Sequence, residues 1–422
     1  VYRCTIVAHR QGAGGAVGAD AMNPRWDCAV VLSWHDKPGE NERQEDAKPL
    51  AASWPMAAVV DTGGRGAGLA RFQSFSHPGI LGTIHQDTSG ILGTAEANDE
   101  FGWALVVGAP GESVNGSADA GGVNVLMGNR STGLQAADDE IWNQGTPFVA
   151  GTVNSGERFG YALAAGDFDG DGRDDLAIGV RYDECDDRNG GAVNVLYGTG
   201  GDGLSFVGNE LWHQNVDGIA GGVEADDEFG FALASGDFNN DGADDLAIGV
   251  PGEAIGSVAD AGAVNVIYGA VGEGLVSAGD RMFHADSAGI PGAVEANDRF
   301  GSSLAAGDMD GDGYDDLVIG VPLEDIGEVV DAGAVIIIHG SGSGLNGADS
   351  RSITQGNLQF PGEVSAYARF GWALVVEDFD GDALQDLAIS ALGRYGAGPL
   401  DSVSVLYQRP YVPVTIIGDG FE

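Results

Sequence analysis

Four aspartate-rich loops recur at an almost fixed interval, and that period limits the possible folds more than any other feature of the chain. They read DFDGDGRDDL (167–176), DFNNDGADDL (237–246), DMDGDGYDDL (308–317) and DFDGDALQDL (378–387), with starts 70, 71 and 70 residues apart. A repeat of this length means that one supersecondary unit buries its apolar surface against copies of itself. A Phe-Gly pair precedes each loop: Phe159-Gly160, Phe229-Gly230, Phe300-Gly301 and Phe370-Gly371. A fifth pair, Phe101-Gly102, opens FGWALVVGAPGE, which is thirteen residues shorter before its next glycine. The missing piece is the aspartate loop, so this unit is expected to keep a short hairpin and bind no calcium.

Each unit reads as four short strands. In the clearest copy they are FGFALASGDF (229–238), DLAIGV (245–250), AVNVIYG (263–269) and a weaker segment, RMFHAD (281–286). Apolar runs of four to eight residues bounded by Gly, Asp and Asn favour strand over helix. No 3.6-residue period is sustained anywhere. The expected fold class is all-β, a β-propeller of four-stranded blades, since the unit is long for a β-helix coil.

The loop spacing carries its own chemistry. Asp167, Asp169 and Asp171 occupy positions 1, 3 and 5, Gly172 position 6 and Asp175 position 9. Alternating carboxylates, a glycine for the sharp turn and a carbonyl at position 7 suit a hard cation, calcium above all. An EF-hand would place glutamate at position 12; here Ile178 stands there, so Asp175 must supply the last carboxylate. The loop therefore joins two strands, not two helices. A single copy would pass for an acidic turn; four in register do not.

Phe-Gly, the DxDxDGxxDL loop and the run Gly108-Ala109-Pro110, echoed at Gly249-Val250-Pro251 and Gly320-Val321-Pro322, together resemble FG-GAP repeats. The resemblance covers about residues 84–408. Such repeats form the propeller of integrin α subunits, usually seven-bladed, and of many bacterial secreted proteins. The resemblance implies calcium in the turn between the first two strands of a blade. Its ligands would be Asp167, Asp169, Asp171, the Arg173 carbonyl and Asp175. The matching places are Asp237, Asn239, Asp241, Ala243 and Asp245, then Asp308, Asp310, Asp312, Tyr314 and Asp316, then Asp378, Asp380, Asp382, Leu384 and Asp386. The last copy departs from the pattern, because Ala383 replaces the position-6 glycine that permits positive φ. Three strong calcium sites and one weaker are expected.

Composition sets the medium. Acidic residues number 64 against 19 basic, a formal net charge of −45. Such a surface repels nucleic acid and anionic membranes. Weak extracellular calcium modules need free calcium of roughly 0.1–1 mM, which a cytoplasm does not supply. An extracellular or cell-surface location follows as the expectation. No run is long and apolar enough to span a membrane as a helix, and no signal peptide is visible. Cys4 and Cys28 have the option of pairing, with Cys185 left single, but three cysteines define no framework.

Residues 1–83 hold no aspartate loop and read as a degenerate segment, one or two incomplete blades in which CAVVLSW (28–34) and MAAVV (56–60) are the candidate strands. Residues 84–410 hold the repeats. A tail, 411–422, ends in GDGFE, a faint resemblance to the endings of some bacterial secreted proteins.

A four-stranded meander sends its 1–2 and 3–4 loops to one face and its 2–3 and 4–1 loops to the other. Calcium takes the first face, and binding surfaces belong on loops held by a rigid scaffold. One 2–3 loop breaks the repeat: Arg181, Tyr182, Asp183, Glu184, Asp186, Asp187 and Arg188 replace the Pro-Gly-Glu sequence of its counterparts. Tyr and Arg are favoured contact residues, which makes this loop the candidate partner site. Catalysis finds no support. His85, His213 and His284 recur at matching places, as do Trp142, Trp212 and Phe283, and this is the mark of packing. His339 ends the strand IIIHG and reads as structural. No GxSxG or HExxH motif occurs. The functional expectation is a calcium-stabilised ligand-binding or adhesion module for an extracellular protein or glycan, not an enzyme. The alternative is an accessory propeller or an enzyme acting on extracellular polysaccharide or phospholipid.

Overall fold

The computed structural model describes residues 29–32, 57–60, 104–129, 133–134, 140–185, 188–200, 203–356, 363–379, 384–392 and 402–408. Every regular element among them is a β-strand. The strands form successive antiparallel sheets in chain order, the blades of a β-propeller. The second blade contains Phe159–Gly166, Asp175–Val180, Ala192–Gly198 and Leu204–Trp212. The third contains Ala232–Gly236, Asp245–Val250, Ala263–Ala270 and Gly274–Phe283. Ser303–Gly307, Asp316–Val321, Ala334–Ile338 and Arg351–Thr354 make the fourth. The fifth shows three strands, Phe370–Glu377, Asp386–Ala391 and Ser402–Leu406. From the second blade to the fifth, the first strands of neighbouring blades touch.

The second strands are buried along their whole length, and alternation explains how. In Asp245–Val250, Leu246, Ile248 and Val250 face the second blade, while Ala247 faces the fourth. Side chains of a strand point alternately to opposite faces, so one apolar run feeds two cores. The core is therefore a series of layers between blades. The Phe-Gly phenylalanines, Phe159, Phe229, Phe300 and Phe370, are at most 1% exposed and anchor these layers. Each donates its backbone N–H to the preceding blade's 2–3 loop, as Phe300 does to the Ala261 carbonyl at 2.9 Å. The following glycine takes positive φ, +87° at Gly301. Its carbonyl lies where a Cβ on Gly249 of the preceding blade would fall, so that strand position also demands glycine.

Three expectations need correction. The fourth strand of the third blade runs Gly274–Phe283, starting earlier than RMFHAD and ending before His284. A bulge between Val266 and Tyr268 lets its first half pair out of the simple register, and its exposed middle hides the apolar period. His213 and His284 lie past the strand ends, where each Nδ1 accepts a turn N–H, from Asn215 and Asp286. In the first blade no hairpin follows Phe101-Gly102. Ala104–Ala109 is one continuous strand, paired with Gly122–Asn129 as a second strand would be. With no aspartate loop to reverse the chain, this strand goes straight to the place that the second strand fills in the other blades. Trp142, Trp212 and Phe283 are buried between blades. Upstream, Ala29–Leu32 and Ala57–Val60 pair with each other. His85, Cys4, Cys28, the rest of 1–83 and the tail lie outside the described residues.

Candidate metal centres and the opposite loop face

The aspartate loops sit between first and second strands and share one geometry. In the Asp167 loop the N–H groups of Asp171 and Gly172 donate to Asp167 Oδ1 and Oδ2, at 2.9 and 2.8 Å. The Asp237 loop repeats this from Asp241 and Gly242 at 3.1 and 3.0 Å, and the Asp308 loop from Asp312 and Gly313 at 3.1 and 3.0 Å. Gly172, Gly242 and Gly313 adopt φ of +88°, +93° and +93°, which is why glycine holds position 6. The N–H of Arg173, Ala243 and Tyr314 at position 7 donates to the position-5 carboxylate. The position-2 side chain, Phe168, Phe238 or Met309, is driven into the inter-blade core and pins the loop.

Carboxylates converge inside two of these turns. Asp167, Asp169 and Asp175 offer ligand oxygens within 4.8 Å of one another, as do Asp308, Asp310 and Asp312. Asp171 does not join the first trio; it pairs with the Arg173 guanidinium. In the Asp237 loop, Asn239 replaces the middle carboxylate, and its Oδ1 is a buried acceptor without a hydrogen-bond partner. Such an orphaned oxygen, aligned with the carboxylates of sister loops, fits a hard cation's demand for oxygen ligands. In the Asp378 loop, Asp380, Asp382 and Ala383 lie outside the described residues.

The ninth-position aspartate does more than face the cavity. Asp175, Asp245, Asp316 and Asp386 each accept one N–H from position 2 and another from the end of the third strand. Burial pushes the Asp175 and Asp245 carboxyls up to about 8, with the neighbouring loop carboxylates adding to the shift. Burial also raises Asp167 and Asp310. A divalent cation would relieve this strain by restoring an opposite charge.

Sequence reasoning missed the residue at position 8. Asp244 Oδ2 accepts the Asp167 N–H of the preceding blade at 2.9 Å, and Asp315 Oδ2 accepts that of Asp237 at 3.1 Å. Each loop is thus braced by the next. The period offered the signal, since Asp174, Asp244 and Asp315 recur at that spacing. Gln385 breaks the series, and its Oε1 is buried without a partner.

On the opposite face, the first residues of the candidate partner loop also pack against neighbouring blades. Arg181 Nη2 and Nε bond Glu228 Oε1 at 2.5 and 3.1 Å, and Nη1 bonds the Tyr161 hydroxyl at 2.6 Å. Its guanidinium stands 4.6–4.7 Å from the rings of Tyr161, Tyr182 and Phe231. Asp183 is buried and accepts from Gln144 Nε2 of the first blade at 2.6 Å. Glu253 takes the same part toward Gln214 in the next blade, also at 2.6 Å. Arg181 and Asp183 therefore hold blades together; the change from Pro-Gly-Glu keeps the acidic latch and adds a stacked cation. Tyr182 is half-buried and Glu184 exposed. Asp186, Asp187 and the side chain of Arg188 lie outside the described residues.

Comparison with known proteins matches this architecture. Residues 159–196, 229–267 and 300–338 match the FG-GAP repeat. The chain is 33% identical over 277 residues to "Integrin alpha pat-2" of Caenorhabditis briggsae, covering 61% of this chain and 19% of that protein. It is 30% identical over 262 residues to "Integrin alpha-5" of Xenopus laevis, 60% of this chain and 21% of that one. It is also 33% identical over 182 residues to "Phosphatidylinositol-glycan-specific phospholipase D" of Rattus norvegicus, 43% of this chain and 20% of that one. The chain spans about a fifth of the length of these relatives. No helix among the described residues is long and apolar enough to cross a membrane. Three stretches of the chain thus carry the FG-GAP repeat, each with its aspartate loop on the same blade turn, and about 60% of the chain is similar to integrin α subunits.

Proposed function

We propose that this chain is an extracellular ligand-binding propeller whose aspartate loops hold structural calcium. The observation that carries the calcium reading is the convergence of carboxylate oxygens in the Asp167 and Asp308 loops; the buried, orphaned Asn239 Oδ1 supports it for the Asp237 loop. Asp167, Asp169 and Asp175 would hold one ion, Asp237, Asn239, Asp241 and Asp245 a second, and carboxylates of the Asp308 loop a third. The Asp378 loop is the weakest candidate. A bound ion would supply charge neutralisation alone. The protein's own part is to fix the turn, through the position-2 anchor and the position-9 latch. The similarity to integrin α supports partner binding on the opposite face, which keeps its long 2–3 loops clear of the calcium turns. A protein or glycan is the expected partner. The second reading, an accessory propeller for chemistry on phospholipid or polysaccharide, is favoured by the similarity to a phospholipase D.

The test is a thermal melt in about 1 mM calcium and in excess chelator, with bound calcium counted on the purified chain. A large drop in Tm in chelator is expected, together with extracellular-protein or glycan binding seen only in calcium. An unchanged melt with no bound calcium would overturn the calcium reading. Turnover of phospholipid or polysaccharide by the chain itself would favour the second reading.

A further inference from the structure

His339 directly follows the third strand of the fourth blade, at the place where the second, third and fifth blades carry Tyr197, Tyr268 and Tyr407. The tyrosines of the second and third blades reach forward: Tyr197 and Tyr268 hydroxyls accept the Leu275 and Leu345 N–H of the following blade, at 3.2 and 3.0 Å. His339 turns instead to the aspartate loop of its own blade. Its Nδ1 lies 3.2 Å from Asp316 Oδ2 and 3.4 Å from Asp310 Oδ2. That nitrogen is buried and has no hydrogen-bond partner in acceptable geometry. Asp310, Asp316 and His339 bring three ligand atoms within 4.8 Å of one another, one of them nitrogen. Among the described residues no other aspartate loop gathers a histidine in this way.

Donor chemistry decides what such a set prefers. Calcium takes oxygen ligands, whereas imidazole suits zinc and its neighbours in the first transition row. We propose that the third of these ions, in the Asp308 loop, is not calcium but a divalent ion of the zinc class, held by His339 Nδ1, Asp310 and Asp316, while the Asp167 and Asp237 loops take calcium. The imidazole would bind neutral, with its proton on Nε2. Two carboxylates then balance the charge of the ion. Asp308 and Asp312, on the same turn, leave oxygen ligands available to complete the shell. This inference rests on the cation reading of the loops, and its test separates the two.

The full chain is equilibrated in about 1 mM calcium with a few equivalents of zinc per chain, passed through a desalting column, and its calcium and zinc counted by mass spectrometry. His339→Tyr, which restores the residue of the sister blades, and His339→Gln are treated alike, with circular dichroism confirming that each folds. The expected result is one zinc retained by the parent chain and none by either folded variant. Cobalt in place of zinc should give a visible absorption band in the parent that the variants lose. Equal zinc in parent and variants, an adventitious ion only, would overturn the proposal, as would no zinc in the parent. Calcium at the Asp167 and Asp237 loops is counted in the same samples. Its absence would overturn the calcium reading and leave the zinc result to stand on its own counts.

Discussion

Asp245 is fully buried, accepts the Phe238 and Gly269 N–H at 3.0 and 2.9 Å, and has its carboxyl pushed up to about 8 by burial. It ties the metal turn to the third strand, so its replacement acts on both. Asp245→Asn presents an amide N–H₂ to one of two backbone donors, and a buried donor left unmade costs about 1–3 kcal/mol. Urea unfolding of Asp245→Asn in calcium should show a loss of that order, accompanied by weaker calcium binding at the Asp237 loop. Asn239→Ala removes the orphaned oxygen along with the rest of the side-chain amide. It should weaken calcium binding there while leaving stability in chelator almost unchanged. Calorimetric titration beside a chelator melt reads both. At this scale the ligand-type residues were legible, because their spacing repeats. The second duty of Asp245, as a strand latch, was not, because it depends on a third-strand amide 24 positions away.

Between blades, the latch of Gln214 on Glu253 sets a pH dependence. Burial raises the Glu253 and Glu324 carboxyls to about 7, and Asp280 and Asp298 to about 6. In the unfolded chain such groups titrate near 4. A carboxyl whose pKa rises on folding binds its proton more tightly in the fold. Its stabilising contribution is complete below about 4 and is lost as pH rises through 6–7. In chelator, where calcium loss at low pH plays no part, Tm should climb as pH falls from 8 to 5. Glu253→Gln should flatten that climb, since it keeps an acceptor for Gln214 without titrating. Strand identity was readable wherever an apolar run fed two cores, as in Asp245–Val250. It was least readable in Gly274–Phe283, whose exposed middle follows no simple alternation. The packing of the partner loop was hidden for a related reason: Arg181 is unusual in sequence, but its neighbours Tyr161, Phe231 and Glu228 come from two other segments.

Across the whole molecule, charge opposes compactness. The chain carries a formal −45, and each bound divalent ion offsets only two units of it. Self-repulsion of that size destabilises a fold and is screened by salt, with a Debye length near 8 Å at about 0.15 M. In chelator, raising sodium chloride from about 0.02 to 0.5 M should therefore increase Tm by several degrees, and the gain should be smaller in calcium. The braces described above all run one way along the chain. The Asp167 turn is held by Asp244, the Asp237 turn by Asp315, and Gln144 is received by Asp183. For a chain emerging from a ribosome this means that no blade is finished when its own last residue appears. Its turn waits for roughly one further repeat to be synthesised, so folding advances as a wave one blade behind synthesis.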